Sequence, residues 1–333
     1  MMNDISIFYT DSKAESIRGV RNGSDISDIV ENLTISTSIN GGAGRAELEI
    51  IGDGSEFNFG GEIRVIAGGV IVFRGFLFSV SMSDSSRFSA TFYDQTRYLR
   101  NNDIIVYKKK TASDLFKTIC KTANVEMGTV DPSSAILPNT AAIGRAYWDM
   151  LTEAIDYTAA FENKLFIVRD NAGALEFRDI ENLRTDFVID DEGIAIGFDY
   201  TIGIDQNTFN QVKIGFEGNK KRNWGIVNDS DKVNEWGLLQ YFQILRDKTD
   251  EATLKKRCEQ QLALLSKPTR ELHLNCFGDW RISSGSGVGV SLESVMAFKG
   301  MHNFYVSSCS HHVSNDVHTM DLTLAIDNFG GSA

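Results

Sequence analysis

The sequence predicts a mainly β protein with an α+β insertion, in which two tandem β-barrel-like domains flank an α+β domain. Three observations carry this: period-two apolar alternation over the first hundred residues, a change to a 3.6-residue period near residue 110, and a return to alternation after residue 186. The boundaries that follow are 1–99 for the first barrel, 100–185 for the insertion, and 186–333 for the second barrel, which includes a helix near 250–266.

In the first segment Leu33, Ile35 and Ile39 alternate with polar residues, the loop Asn40-Gly41-Gly42-Ala43-Gly44 intervenes, and Ala46, Leu48 and Ile50 alternate again. That is a hairpin signature. Phe76, Phe78, Val80 and Met82 form the next one-faced strand, which turns at Asp84-Ser85-Ser86 and returns with Phe88, Ala90 and Phe92. One apolar and one polar face mean an antiparallel sheet covered on one side and curled into a barrel or sandwich.

The insertion opens with Thr111 and Asp114, a capping-box-like spacing, after which Leu115, Phe116, Ile119, Cys120 and Ala123 fall on one helical stripe. A second helix near 146–162 places Tyr147, Met150, Leu151, Ala154, Ile155 and Thr158 in one arc. Strands Lys164–Arg169 and Ala174–Asp179 follow, joined through Asn171-Ala172-Gly173. Alternation then resumes over 187–189, 194–200 and 212–216. It is interrupted by a helix from a Thr249 or Asp250 cap through Leu254, Cys258, Leu262 and Leu265, stopped by Pro268. The last strand sets His318, Met320, Leu322, Leu324 and Ile326 on one face.

Composition narrows the function. A chain of 333 residues is long enough for two or three cores, and 42% hydrophobic with 23% charged residues is ordinary for a folded protein. The start MMNDISIFYTDSK has neither a basic segment nor an apolar run, and no stretch reaches the ~18 apolar residues that span a bilayer. The expectation is synthesis in the cytoplasm, with any export through assembly or lysis. Cys120, Cys258, Cys276 and Cys309 are scattered without a CxxC pair, so reduced, buried thiols are expected. A net charge of −12 opposes broad binding to nucleic-acid phosphates, and the basic runs Lys108 to Lys110 and Lys220 to Arg222 read as solvated turns. The same acidity suits the wall of a conduit through which an anionic polymer slides.

The constellations that invite a chemical reading resolve to bland ones. Cys309-Ser310-His311-His312, with Asp316 and His318 behind, offers metal-ligand types, but alternation sends His311 and His312 to opposite faces. Asp149, Glu153 and Asp156 share a helix face opposite the apolar stripe, where solvated acids belong. Asp190-Asp191-Glu192 reads as a loop, and Gly285-Ser286-Gly287-Val288-Gly289 lacks Walker spacing and a following helix. Trp148, Trp224, Trp236 and Trp280 suit either a core or an interface. No catalytic, cofactor-binding or metal-binding residue is assigned, and no cofactor is expected.

A weak duplication about 225 residues apart is the most informative feature. Ile63 and Val65 alternate before Phe73-Arg74-Gly75 and a strand with Phe78, Val80 and Met82; Val288 and Val290 alternate before Phe298-Lys299-Gly300 and a strand with Phe304, Val306 and Cys309. Three chains that each carry two similar barrels close a ring of six.

The stretches FGGEIRVIAGGVIVFRGFLFSVS, TASDLFKTICKTANV, AYWDMLTEAIDYTA, FIVRDNAGALEF and VHTMDLTLAI, in that order, resemble baseplate hub proteins of PBSX-like prophages, contractile-tailed phages of Gram-positive hosts and R-type bacteriocins. More distantly they look like the hub part of type VI secretion spike proteins. The resemblance implies a non-enzymatic homotrimeric hub that joins a hexameric tail tube to a trimeric spike around a central channel. Its implied partners are other copies of itself, tube, spike and other baseplate or wedge proteins, and a tape-measure protein in the channel. It also implies synthesis in the bacterial cytoplasm and release by lysis as part of the assembled phage tail or tail-like particle. With the sequence ending at Ala333, membrane puncture and wall cleavage are expected of separate partners. The alternatives are a tail-associated cell-wall hydrolase or peptidase, and a host-wall-binding tail-tip adhesin.

Overall fold

A computed structural model describes residues 5–11, 23–82, 86–162, 164–191, 193–205, 207–217, 222–245, 251–293, 295 and 298–325. They form two compact units, one of Met1–Phe198 with His273–Leu324 and one of Asp199–Leu272 with Ala325–Ala333. The fold is mainly β, with a curled sheet and a few short helices, as the periodicity predicts.

The larger unit begins with strands β1 (Ile5–Thr10), β2 (Ser24–Asp25), β3 (Val30–Ser38), β4 (Arg45–Ile51), β5 (Glu62–Ala67), β6 (Val70–Met82) and β7 (Arg87–Tyr93). The alternating residues meet across the strands: Leu33 opposes Leu48 between β3 and β4, and Ala46, Leu48 and Ile50 of β4 oppose Phe92, Ala90 and Phe88 of β7. All of these side chains are buried together with Ile63 and Val65, the burial of each larger one contributing roughly 2 kcal/mol. Gly68 and Gly69, both at positive φ, make the two-residue turn between β5 and β6 that matches the sheet's twist. Asp84 and Ser85 of the turn read between β6 and β7 lie outside the described residues.

Residues 100–185, the segment expected to form the insertion, contain β8 (Asn102–Tyr107), α1 (Ala112–Ala123), β9 (Met127–Val130), β10 (Thr140–Ala146), α2 (Tyr147–Glu162), β11 (Phe166–Asn171) and β12 (Ala174–Asp179). Helix α1 starts as the spacing predicts: the Thr111 hydroxyl accepts from the Asp114 amide, and the Asp114 carboxylate accepts from the Thr111 amide. Its buried stripe, Leu115, Phe116 and Ile119, packs with Met150, Leu151 and Ala154 of α2 and with Phe166 and Phe177, whose rings stack 4.9 Å apart. Strands β11 and β12 form a hairpin through Ala172 and Gly173, β9 adds parallel to β12, and β8 and β10 make a separate antiparallel ribbon.

The remaining elements are β13 (Arg184–Asp190), β14 (Ala195–Gly203), β15 (Gln211–Glu217), β16 (Arg222–Asn228), α3 (Ser230–Trp236), β17 (Gln240–Leu245), α4 (Glu251–Leu265), β18 (Thr269–Phe277), β19 (Gly287–Ser291), β20 (His302–Ser314) and β21 (Val317–Ala325). In the smaller unit β15 lies between β16 and β17, and Val212 and Ile214 of β15 pack on Leu254 and Cys258 of α4. Helix α3, which no apolar stripe announces, is started by Asp229, whose side chain accepts from the Lys232 amide. The Thr249 or Asp250 cap, Ile326 and the basic residues Lys220 and Lys221 lie outside the described residues.

The sheet of the larger unit follows the order β18-β21-β20-β3-β4-β7-β6-β5-β1-β2, with β19 alongside β20 and β13 parallel to β19. The C-terminal strands therefore continue the N-terminal sheet, with Val313 of β20 opposite Leu33 of β3. Both duplicated segments are antiparallel meanders, β5-β6-β7 and β19-β20-β21, each with a central strand of 13 residues. They differ in where the Phe-basic-Gly triplet falls. Phe73-Arg74-Gly75 lies inside β6, whereas Phe298-Lys299-Gly300 precedes β20.

Candidate functional site

Strand alternation and one tight turn assemble the histidine cluster. Cys309 and His311, two residues apart on β20, are both buried, while His312 on the opposite face sets its Nε2 3.0 Å from Asp321 Oδ2 and its Nδ1 3.2 Å from Thr34 Oγ1. Asn315 and Asp316, both at positive φ, turn the chain so that His318 of β21 comes back to His311. The His311 Nε2 lies 2.8 Å from the Ile282 carbonyl, which can only accept, so Nε2 carries the proton. His311 Nδ1 then accepts from His318 Nε2 at 3.0 Å. Trp280 stacks on both rings, with centroids 4.7 Å from His311 and 4.1 Å from His318. Gly278 is required beneath them, because a Cβ there would overlap the His318 ring.

These contacts make a structural cluster. Burial, reinforced by the neighbouring His318 and His312, lowers His311 to about 4, and burial also lowers His318, so both are neutral at pH 7. Cys309 Sγ sits 3.3 Å from His311 Nε2, but burial raises its thiol far above the ordinary range. A nucleophilic cysteine needs the reverse, a lowered pKa and access to solvent. Among the described residues no three His, Cys, Asp or Glu side chains are grouped to hold a metal ion.

The other residues weighed in the sequence are dispersed. Asp149, Glu153 and Asp156 are exposed along α2, with Glu153 paired to Arg145. Lys108 to Lys110 form an exposed turn, and the glycine-rich segment at 285–289 turns into β19. Asp190 ends β13, and Glu192 lies outside the described residues. The four tryptophans separate: Trp148 lines a small cavity beside Gly42 and Gly44, Trp224 packs 5.3 Å from Phe242, Trp236 lies under Lys232, and Trp280 holds the histidines.

Two sheet faces expose apolar side chains. On the β8–β10 ribbon Ile104 and Ile143 oppose one another, and both they and Val106 are exposed. In the smaller unit Ile226 and Phe242 flank Lys213, and Trp224 and Ile244 flank Gly215, on the face of β15–β17 opposite the core. Lys213 Nζ lies 5.0 Å from the Trp224 ring. Apolar side chains grouped on one face in this way suit contact with another macromolecule.

A family model described as YqbQ-like matches residues 33–325. The phage-like element PBSX protein XkdQ of Bacillus subtilis (strain 168) is 22% identical over 265 residues, covering 77% of this chain and 78% of its own length. The 43 kDa tail protein of prophage MuSo2 from Shewanella oneidensis has the same fold at a TM-score of 0.70 and 13% identity, over 98% of this chain and 100% of that one. The E. coli c3393 protein, a component of the type VI secretion system with structural similarity to T4 bacteriophage tail proteins gp27 and gp5, matches at a TM-score of 0.58 and 9% identity, over 92% of this chain and 76% of that one.

Proposed function

Since the chain belongs to the YqbQ-like family, we propose that it is a structural subunit of a phage-type tail baseplate, a trimeric hub that joins the tail tube to the central spike around a channel. The observation that carries this reading is the fold likeness to tail and secretion proteins over nearly the whole chain, both meanders included. Two similar meanders in one chain give a trimer six similar elements around its axis, so that one face meets a six-fold tube and the other a three-fold spike. The division into hub portions 1–99 and 186–333 around the insertion 100–185 is part of this proposal.

The partners that follow are further copies of the chain, the tube and spike proteins, neighbouring baseplate or wedge proteins and a tape-measure protein in the channel. The net charge of −12 suits a channel wall that must not retain a polyanion. The role is architectural, with no step of covalent chemistry, and the protein leaves the cell by lysis as part of the particle. Electron microscopy of the purified chain mixed with its spike and tube proteins tests the reading. A three-fold ring with an axial channel is expected, and monomers at all mixing ratios overturn it.

A further inference from the structure

At the seam between the first sheet and the insertion, two carboxyls face one small cavity. Asp94 follows β7 and is 4% exposed, and Asp170 lies on β11. Asp94 Oδ1 accepts from the Thr96 amide at 2.9 Å and from the Thr96 hydroxyl. Asp170 Oδ2 accepts from the Gln95 amide at 3.3 Å, and its Oδ1 accepts from the Gly173 amide at 2.6 Å. Gln95, itself buried, donates its side-chain amide to the Gly173 carbonyl and accepts from the Glu126 amide at 2.8 Å. The segment 94–96 is thus bolted to the β11–β12 hairpin, and the bolt has an acid on each side.

The charged groups on the adjoining elements do not neutralise the pair directly. Arg74 of β6 holds Glu62 of β5 and Glu126, each at 3.0 Å, and Arg169 of β11 holds Glu176 of β12 at 3.0 Å. Gly44 presses on the same site, since a Cβ there would overlap the Asp94 carboxyl. Burial, then the charge of Asp170, raises Asp94 well above the usual carboxylate range. Burial pushes Asp170 up to about 6, against the Gly173 and Gln95 amides and Arg74, which lower it, and with Glu126 raising it.

We propose that Asp94 and Asp170 form a proton-operated latch between the first sheet and the insertion, closed while the pair holds a proton and loosened when both carboxylates are ionised. Two anions lining one small cavity, Asp94 buried and Asp170 half-buried, repel with less screening than in open water, and neither has an ammonium or guanidinium as its hydrogen-bond donor. For carboxyls raised in the folded state, the stabilising contribution is complete below the unfolded values near 4 and is lost as pH rises through the folded values. Closure is therefore expected on the acid side, and loosening above pH about 6.

Hydrogen–deuterium exchange of the full chain, corrected for intrinsic rates and followed at Gln95, Thr96 and Gly173, reads the latch directly. Protection of these amides is expected to fall about tenfold or more between pH ~5.5 and ~8.5, while β3–β4 stays unchanged. D94N, which keeps the Oδ1 acceptor but cannot ionise, is expected to hold protection within about twofold over the same range. A flat wild-type profile overturns the proposal, as does a D94N profile that falls as steeply as wild type. Should D94N not fold, D94S, which also caps the Thr96 amide without a titrating group, takes its place with the same two outcomes.

Discussion

Trp280 lies nearly flat on His318, with ring centroids 4.1 Å apart and planes inclined by 22°. The indole shields the imidazole pair that ties β20 and β21 to the segment 278–282. Replacing it with alanine is expected to destabilise the larger unit by about 3 kcal/mol, or roughly 8 °C in melting temperature, and W280F by about 1 kcal/mol. Calorimetric melting of the two variants checks this, and equal melting temperatures for W280A and wild type would show the stack to be incidental.

Acid sensitivity follows from His311. Its folded pKa of about 4 lies below the ordinary 6.5, so the unfolded chain binds the proton more readily. The contribution is present in full above pH 6.5 and is lost as pH falls from there towards about 4. At about 1.4 kcal/mol per pH unit the loss is on the order of 3 kcal/mol. Urea unfolding at several pH values is expected to show this fall in wild type. H311F, weaker at pH 7 because the Ile282 carbonyl and His318 lose their partner, is expected to lose less on acidification.

Glu62 is 1% exposed, with Arg74 at 3.0 Å and Arg64 at 3.4 Å. Removing Arg74 strips a buried carboxylate of its best partner, so R74M is expected to cost about 3 kcal/mol. Adding E62Q removes the buried charge that has lost Arg74 and is expected to recover at least half of that loss. A double-mutant cycle in denaturant measures the coupling, and strictly additive effects would contradict it.

All four cysteines are free and buried. Burial pushes Cys120 and Cys276 up to about 12 and raises Cys258 and Cys309. Iodoacetamide at pH ~8 is expected to leave the native protein unmodified and to add four groups after unfolding, because the thiolate is the reacting form. Intact-mass spectrometry counts them.

Much of the fold is legible because its signals are local. Thr111 and Asp114 announce α1 at three residues' distance, and Ala172-Gly173 marks the β11–β12 hairpin. Alternation alone separates His311 from His312. It names a strand's inner face but not its neighbour, so nothing in the pattern around Val313 points to Leu33. Buried polar groups are illegible for the same reason. Asp94 and Asp170 look like any loop acid, because the Gln95 amide that Asp170 holds is 75 residues away. Asp94 before Gln95-Thr96 has the spacing of a helix cap, which is a weak hint of its first role and none of its second. Trp280 reads as one of four tryptophans until the chain returns His318 to it.

The pairing of β20 with β3 has a consequence for synthesis. Thr34 and His312, in contact across these strands, are 278 residues apart, so this edge of the N-terminal sheet stays open until β20 has left the ribosome. An emerging edge strand is a template for pairing with other chains. Translation itself thus delays the sheet's completion, and a nascent chain presents an unfinished sheet until the β20–β21 hairpin arrives.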